Sequence, residues 1–316
     1  MQNNMEVLYS YVVGGSIVWG IVNVIKKKFL NEGIHEDTVA VLFALGCGIS
    51  ALLLEFAFNG INTLKTSVWT SAFLLPFAVT AVLNIFILYG TVLAMKYEDV
   101  SIVAPLSSSM PMFVIVMSYA LLGEWPTFWG RIGILCIALG AYLLYLKGAK
   151  YPLPMWLQTI TPEKRHDGIA FLLTPCLRLA SSKGARYALG VAYLGAVAVN
   201  FDKLAVLATN PMIFSSLAFL FVASVIFLSS NVAGNWKNPN IVVFWKIFGL
   251  GLFMGIGSVM MNAGYLYGIV PYVGTLKRAQ ILWTVVLAWF FLGEKHGALR
   301  LVGAAIIFAG ATLILF

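Results

Sequence analysis

Two adjacent basic residues, Lys277 and Arg278, lie inside an apolar run of about residues 271–292 that is long enough to cross a bilayer. A basic side chain at bilayer depth costs at least about 2.5 kcal/mol on insertion scales. The functional interpretation is an anion site, in which the guanidinium of Arg278 favours bidentate contact with carboxylate or phosphate. The alternative is a topology anchor near the membrane interface. Neighbours on a helix point about 100° apart, so at most one of the two side chains is expected to face the centre of a lumen.

Polar residues recur at helical spacing on five of the apolar runs. A helix face that contacts lipid should be apolar, so a polar stripe points to the interior of a helix bundle. Hydrogen bonds between helices would explain one stripe, whereas five stripes favour a shared polar lumen. Trp19 lies deep enough in its run to stack on a substrate, and packing in the core is the alternative. The stripes are Ser16, Trp19 and Asn23; Thr80, Asn84 and Thr91; Tyr193, Asn200 and Lys203; Ser258, Asn262 and Tyr265; and Lys277, Gln280 and Thr284.

The fourth apolar run contains a proline on each side of three serines, from Pro105 to Pro111. Proline removes a backbone donor and frees a carbonyl, and such a break is tolerated at membrane depth only beside protein or a water-filled cavity. We therefore predict that Ser107 and Ser108 line the substrate cavity. The alternative is a packing kink with the serines bonded to their own helix.

Two carboxylates also lie close to the ends of apolar runs. Asp202 is adjacent to the oppositely charged Lys203 near the end of the sixth run, and this pair is predicted to act as a gate or a coupling site. A charge pair that holds the helix end at the interface is the alternative. Glu55, near the end of the second run, is interpreted as an interfacial carboxylate.

Neither a catalytic nor a metal-ligating residue is predicted. The three histidines, His35, His166 and His296, all lie between apolar runs, and no serine stands in a nucleophile-elbow sequence. These observations weaken the alternative of a membrane-embedded enzyme. The predicted substrate-binding residues are Lys277, Arg278, Gln280, Ser107, Ser108, Asn84, Asn262, Tyr265, Trp19 and Asn23.

The elements that position these residues follow from composition. The chain has 316 residues, of which 61% are apolar and 10% charged, with a mean hydropathy of +0.92. Soluble proteins carry about a quarter charged residues, so a soluble enzyme, a nucleic-acid binder and a disordered chain are excluded. The net charge of +8 is assigned to lipid headgroups and topology signals, because basic residues lie mainly between apolar runs. Ten membrane segments are predicted, at about 7–29, 38–58, 67–95, 101–122, 128–147, 187–208, 211–231, 241–268, 271–292 and 298–316.

The ten segments divide into two related halves. Residues 148–186, rich in proline and charge, are predicted to link a first five-helix repeat, residues 1–147, to a second, residues 187–316. Residues 100–143 can be laid without gaps on residues 270–313, which places Ser107 and Ser108 opposite Lys277 and Arg278. An odd number of crossings starts the second copy from the opposite side of the membrane, so the repeat must be inverted.

The same alignment matches Leu122-Gly123-Glu124 with Leu292-Gly293-Glu294, Gly133 with Gly303, and Gly140 with Gly310. This pattern resembles the EamA-type transporters of the drug/metabolite transporter superfamily. The resemblance implies an all-α integral membrane protein of ten helices in two inverted five-helix repeats, with a central cavity and alternating access. It also implies that neither ATP nor a prosthetic group is bound. Related sugar-phosphate transporters carry a Lys-Arg pair at the position of Lys277 and Arg278, where it holds phosphate.

These observations predict a secondary active transporter, and not an enzyme, in the cell membrane. Its substrate is expected to be a small anionic or zwitterionic metabolite, either amino acid-like or an organic or phosphorylated acid. The expected partners are this substrate and membrane lipid, without nucleic acid; a coupling ion is left open, as is the choice between a monomer and a homodimer. A sensor or assembly subunit without transport activity is the alternative from a third class.

Overall fold

A computed structural model of the chain describes residues 2–31, 34–60, 68–98, 103, 106–145, 182–292 and 298–314. Helices are the regular structure found in these ranges. They are α1 (Gln2–Asn31), α2 (Glu36–Phe58), α3 (Ser71–Tyr97), α4 (Met110–Leu122), α5 (Phe128–Tyr145), α6 (Lys183–Ala208), α7 (Pro211–Val232), α8 (Ile241–Ala263), a 3₁₀ turn (Gly264–Leu266), α9 (Val270–Leu276), α10 (Ala279–Leu292) and α11 (Ala298–Leu313).

Six of the described helices, α1, α2, α3, α6, α7 and α8, are long and apolar enough to cross a membrane. Shorter apolar helices occupy Met110–Leu122, Phe128–Leu143 and Val302–Leu313. Helix α3 exposes large apolar side chains, with Leu75 67% and Phe86 60% accessible. Apolar surface of this extent is stable against lipid and not against water. The expectation of an all-α, multi-pass membrane protein is confirmed at this level, and ten complete crossings stay a prediction.

Three predicted segments differ from the observed helices. The eighth segment ends as an α-helix at Ala263 and tightens into the 3₁₀ turn. The ninth is two helices, because α9 stops at Leu276 and α10 starts at Ala279. The fourth becomes regular only at Met110, after a turn at Ser108 and Ser109. Pro105 and most of the predicted 148–186 linker lie outside the described residues.

The described residues cluster into two compact units. One unit gathers those within 1–82 and 199–295, and the other gathers those within 83–198 and 296–314. Each unit takes helices from both predicted repeats: α1, α2 and α7–α10 contribute to the first, and α4, α5 and α11 to the second. The repeat boundaries at 147 and 187 stay a prediction.

In the first unit, glycines let α2 and α8 approach closely. A Cβ on Gly46 would lie 2.5 Å from the Phe248 carbonyl oxygen, and a Cβ on Gly251 would lie 2.7 Å from the Phe43 carbonyl oxygen. These distances are too short for any larger residue, so the small side chains set the separation of the two helices. The contact fixes the position of α8, which carries several of the candidate site residues.

In the second unit, the four glycines that the sequence alignment matched form a reciprocal contact between α5 and α11. A Cβ on Gly133 would lie 2.6 Å from the Gly310 carbonyl oxygen, and a Cβ on Gly140 would lie 2.6 Å from the Gly303 carbonyl oxygen. The first glycine of α5 contacts the second glycine of α11, and the second glycine of α5 contacts the first glycine of α11. The two helices therefore cross antiparallel. The repeated Gly spacing therefore serves helix packing.

The Leu-Gly-Glu motif of the first repeat ends a helix. Gly123 has a left-handed φ of 67°, which glycine adopts without steric cost. Its amide donates to the Tyr119 carbonyl, and the Glu124 amide donates to the Ser118 carbonyl. The bond from Gly123 is that of the αL motif, and the two bonds together satisfy carbonyls in the last turns of α4. The matching Gly293 and Glu294 lie outside the described residues.

Candidate functional site

Lys277 and Arg278 lie where the ninth segment breaks between α9 and α10. The Arg278 amide donates to the Thr275 carbonyl, and the Gln280 amide donates to the Lys277 carbonyl. These are bonds to the third preceding residue, which replace the α-helical pattern over one turn. A short 3₁₀ stretch inside a helix is typical of a functional hinge or a strained segment.

The side chain of Lys277 reaches from this break to the end of α8. Its Nζ donates to Asn262 Oδ1 at 2.7 Å and lies 4.2 Å from the ring centroid of Tyr265. Asn262 in turn donates from Nδ2 to Ser215 Oγ on α7 at 2.8 Å. The 3₁₀ turn that follows α8 holds the Tyr265 ring, which is only 1% accessible. The cation is thus held by an amide oxygen and an aromatic face.

Asp202 on α6 supplies the opposite charge. It accepts a hydrogen bond from Thr80 Oγ1 on α3, and it attracts Lys277 electrostatically. In the described part of the chain, each charge is hydrogen-bonded to a neutral side chain and not to the other charge. Asp202 is thus bonded to α3, and its relation to Lys277 is electrostatic.

Lys203 has a different partner from its neighbour Asp202. Its Nζ donates to the Gly268 carbonyl oxygen at 2.9 Å, in the short connection between the 3₁₀ turn and α9. A cation at this position satisfies a carbonyl close to a helix end, as expected of Lys near a C-terminus. The predicted role of both residues as a gate or coupling site stays a prediction.

Helix α1 brings Trp19 and Asn23 to this unit. The Trp19 Nε1 donates to Ser258 Oγ on α8 at 3.1 Å, and the Asn23 Nδ2 lies 3.5 Å from Thr284 Oγ1 on α10. Ser258 is one helical turn from Asn262, so one face of α8 bonds to both Trp19 of α1 and Lys277. The Gln280 Oε1, at the start of α10, is buried without a hydrogen-bond partner among the described residues.

Three predicted residues belong to the second compact unit. Ser108 is 1% accessible, and Ser107 and Asn84 are partly buried. The Ser109 amide donates to the Leu106 carbonyl, which is again a bond to the third preceding residue. The fourth and ninth segments thus break at nearly the same register of the repeat. A substrate-binding role for Ser107, Ser108, Asn84 and the partly buried Arg278 stays a prediction.

Ser215 and Thr80 were absent from the predicted site. Ser215 lies in an apolar run without a polar stripe, and its only signal is the neighbouring Ser216. Thr80 was part of a stripe, but nothing in the sequence linked it to Asp202. Glu55, interpreted from the sequence as an interfacial carboxylate, is 0% accessible and accepts hydrogen bonds from Asn59 and Asn210, both at 2.9 Å.

The cluster presents a cation among neutral hydrogen-bonding groups. Lysine is a compact cation with three donors, and the amide and hydroxyl groups around it offer further hydrogen bonds. Among the described residues, no group of three or more His, Cys, Asp or Glu side chains is placed to hold a metal ion.

Comparison with known proteins gives a match over most of the chain. The model of the EamA-like transporter family matches residues 7–146 and, again, residues 182–316. A solved crystal structure at 14% sequence identity aligns over 97% of this chain and 94% of its own length, with a TM-score of 0.73. This likeness concerns the fold. No curated protein matches the sequence.

Proposed function

We propose that this chain, which belongs to the EamA-like transporter family, is a secondary transporter of a small anionic or zwitterionic metabolite. The substrate binds at Lys277, and ten membrane helices in two inverted repeats give alternating access. Substrate-binding roles are proposed as well for the remaining predicted residues, including Arg278, Gln280, Ser107 and Ser108. The cell membrane is the proposed location, and neither a nucleotide nor a prosthetic group takes part.

The position of Lys277 carries the proposal. Its ammonium is placed at a helix break and is oriented by Asn262 and Tyr265. A basic residue in a membrane helix is costly, and such residues mark substrate or ion pathways more often than they serve packing. An anchor at the interface would extend toward headgroups, whereas this ammonium bonds to an amide of the neighbouring α8.

The two broken segments support alternating access. Discontinuous helices near the midplane are a recurrent feature of secondary transporters built from inverted repeats. Here one segment breaks at Ser108 and Ser109, and the other at Lys277 and Arg278. Prolines accompany the first break, and the basic pair occupies the second. Both repeats therefore contain an interrupted helix, but the side chains at the interruption differ.

Solute counterflow in proteoliposomes tests the proposal. The purified full-length protein is reconstituted into vesicles preloaded with pools of carboxylates, amino acids or phosphorylated metabolites, and entry of the labelled member of each pool is followed. We expect saturable counterflow with at least one pool. Lys277→Ala and Arg278→Ala should each lower it at least tenfold.

The matched control is Lys246→Ala, because Lys246 is an exposed lysine on α8. Its counterflow should equal that of the wild type. Equal counterflow in wild type, Lys277→Ala and Arg278→Ala would contradict the binding site. Chemical conversion of a pool member without movement across the membrane would contradict transport itself.

A further inference from the structure

Glu55 is a buried carboxylate outside the proposed binding site. It is 0% accessible near the end of α2, and both of its hydrogen bonds reach one oxygen, Oε2, which accepts from Asn59 Nδ2 and Asn210 Nδ2 at 2.9 Å each. The other oxygen, Oε1, is buried without a hydrogen-bond partner among the described residues. A carboxylate oxygen has two acceptor positions, so Oε2 is saturated and Oε1 is the atom that stays open to a ligand.

The ligand that fits Oε1 is a proton. Buried charges are normally paired or bound to a metal ion, whereas the partners of Glu55 in the described part of the chain are two neutral amides. Metal cations such as Ca²⁺ and Mg²⁺ require several oxygen ligands, but both asparagines turn their NH₂ donors to the carboxylate. A proton needs one oxygen, and it leaves Glu55 a neutral acid that requires no counter-charge.

Asn59 connects this carboxylate to the surface. It is the exposed C-cap residue of α2, and its Nδ2 lies 2.9 Å from Glu55 Oε2 and 3.9 Å from Met212 Sδ at the start of α7. A proton can therefore pass between water and Glu55 when one exposed side chain rotates, without a larger opening of the fold.

The charge of Glu55 acts on the start of α7. Asn210 donates to Glu55 and at the same time caps α7, where its Oδ1 accepts from the amides of Met212 and Ile213 at 2.9 Å each. Hydrogen bonds to a carboxylate are about twice as strong as those between neutral groups. Protonation of Glu55 therefore loosens the residue that holds the first turn of α7.

The start of α7 is also bonded to the proposed substrate site. Ser215, on the turn that follows Asn210, accepts from Asn262 Nδ2 at 2.8 Å, and Asn262 Oδ1 accepts from the Lys277 ammonium at 2.7 Å. One short helical stretch thus lies between the Glu55 carboxylate and Lys277. A change in the charge of Glu55 is transmitted through this stretch to the position of Lys277.

The helices that pack on α2 bring few other ionisable groups to Glu55. Helix α7 has none, and Lys246 on α8 lies toward the other end of α2, where Gly46 meets Phe248. Further ionisable groups on these and neighbouring elements are Glu6, Tyr9, Tyr11 and the lysines at 26–28 of α1, Glu36, Asp37 and Cys47 of α2, Asp202 and Lys203 of α6, and Tyr265 and Tyr267 beyond α8. Glu55 is hydrogen-bonded to none of them in the described ranges.

We infer that Glu55 is a proton-binding site and that the proton travels with the anionic substrate. The proton binds Oε1 from water on one side of the membrane and returns to water on the other side. A proton and a monovalent anion together add no net charge to the membrane interior, where charge is costly. Coupling is reciprocal, so protonation of Glu55 raises the affinity for the substrate as much as the substrate raises the affinity for the proton. The inference rests on the proposed function, because it names the coupling ion of that carrier.

The first measurement is infrared difference spectroscopy of the ligand-free, full-length protein in detergent, between alkaline and mildly acidic pH. We expect acidification to produce the C=O stretching band of a carboxylic acid shielded from water, and Glu55→Gln to lack this band. Glu36→Gln, at the exposed start of the same helix, is the matched control and should retain it. A band that persists in Glu55→Gln, or its absence from the wild type, would overturn the proton site.

The second measurement is gradient-driven uptake in proteoliposomes, with the labelled carboxylate, amino acid or phosphorylated metabolite that the wild type exchanges. An inward proton gradient should drive accumulation in the wild type and in Glu36→Gln. Glu55→Gln should lose this accumulation at least tenfold, and its counterflow should no longer vary with pH.

Undiminished accumulation by Glu55→Gln would overturn the coupling role. Counterflow by Glu55→Gln that is lost at every pH would also overturn it, since loss of a merely structural residue has that effect. Accumulation driven by a sodium gradient and not by a proton gradient would overturn the identity of the ion.

Ser215→Ala tests the route through α7. This variant should keep the infrared band of Glu55, while the pH dependence of its counterflow should fall at least threefold. Ser224→Ala is the matched control, because Ser224 is an exposed serine of α7 that donates to the Leu220 carbonyl of its own helix. Full pH dependence in Ser215→Ala would overturn the route.

The infrared measurement requires no transport. An intact band in a wild-type protein without counterflow would contradict the proposed function, and the coupling with it, while the proton site stands. Counterflow in a wild-type protein without the band would contradict only the role of Glu55.

Discussion

The ammonium of Lys277 lies 2.7 Å from the amide oxygen of Asn262, which ties the break in the ninth segment to the end of α8. Asn262 is bonded to Ser215 on α7 at the same time. Three helical segments thus meet at one short chain of hydrogen bonds. If the break moves relative to α8, the bond between Lys277 and Asn262 must either persist, with Asn262 moving too, or be replaced by another bond, such as one from Lys277 to the substrate.

Replacement of Asn262 by alanine should weaken both folding and substrate binding. The change leaves a partly buried ammonium without its acceptor, a loss of about 1–3 kcal/mol for a charged hydrogen bond. We expect a lower Tm and an apparent affinity in counterflow at least tenfold weaker. Asn231→Ala is the control, since Asn231 is exposed and its side chain donates within its own helix to the Phe227 carbonyl. Identical behaviour of the two variants would refute a role for Asn262.

The crossing of α5 and α11 should not tolerate a methyl group on its glycines. A Cβ at Gly133 or Gly310 meets the carbonyl oxygen of the other glycine at 2.6 Å. Overpacking of this kind costs about 1–3 kcal/mol. We therefore expect Gly133→Ala and Gly310→Ala to lower the Tm by similar amounts.

Gly249→Ala is the matched control for that crossing. A Cβ at Gly249 meets nothing within 4 Å, so alanine adds helix propensity without a clash. Its Tm should equal or exceed that of the wild type. A loss at Gly249 as large as the loss at Gly133 would show that the clash is not the cause.

Asn210 should contribute more to stability than an ordinary helix cap. Its Oδ1 accepts from the amides of Met212 and Ile213 at the start of α7, and its Nδ2 donates to the buried Glu55. Loss of a cap alone costs about 1 kcal/mol. Asn210→Ala also removes a donor from a carboxylate that is 0% accessible, so its loss of Tm should be clearly larger.

Asn240→Ala measures the cap alone, because Asn240 is an exposed N-cap that accepts from the Val242 amide. Glu55→Gln introduced into the Asn210→Ala variant should restore part of the lost stability, since it removes the charge that lacks a donor. Equal losses of Tm for Asn210→Ala and Asn240→Ala would mean that the hydrogen bond from Asn210 to Glu55 does not contribute to stability.

Helical periodicity was sufficient to predict the polar face of α8. Ser258, Asn262 and Tyr265 repeat at the spacing of one helix face, and the structure brings Trp19, Lys277 and Ser215 to that face. The prediction worked because α8 stays regular to Ala263, and the tighter turn after it keeps Tyr265 on the same side.

The pairing of charges was not predictable in the same way. Asp202 was interpreted together with its neighbour Lys203, but adjacent side chains on a helix point about 100° apart. Lys203 turns to the Gly268 carbonyl, while Asp202 turns to Thr80 and is attracted by Lys277, 75 positions further along the chain. Contacts at such separation depend on tertiary packing, which a single sequence does not encode in a readable pattern.

The break at Lys277 had no local signal either. The fourth segment contains prolines, which remove backbone donors, whereas no proline lies between Thr275 and Gln280. The buried helix α9 and the bond from Lys277 to Asn262 accompany the break in the structure. Because these contacts are long-range, a continuous helix over 271–292 was the reasonable sequence expectation.

The role of Lys277 is tested most directly by counterflow in proteoliposomes that contain wild type, Lys277→Met or Lys246→Met at matched reconstitution. We expect saturable counterflow of an anionic or zwitterionic metabolite for wild type and Lys246→Met. We expect at least a tenfold loss for Lys277→Met, in a protein that still elutes as a folded species. Undiminished counterflow by Lys277→Met would contradict the central claim.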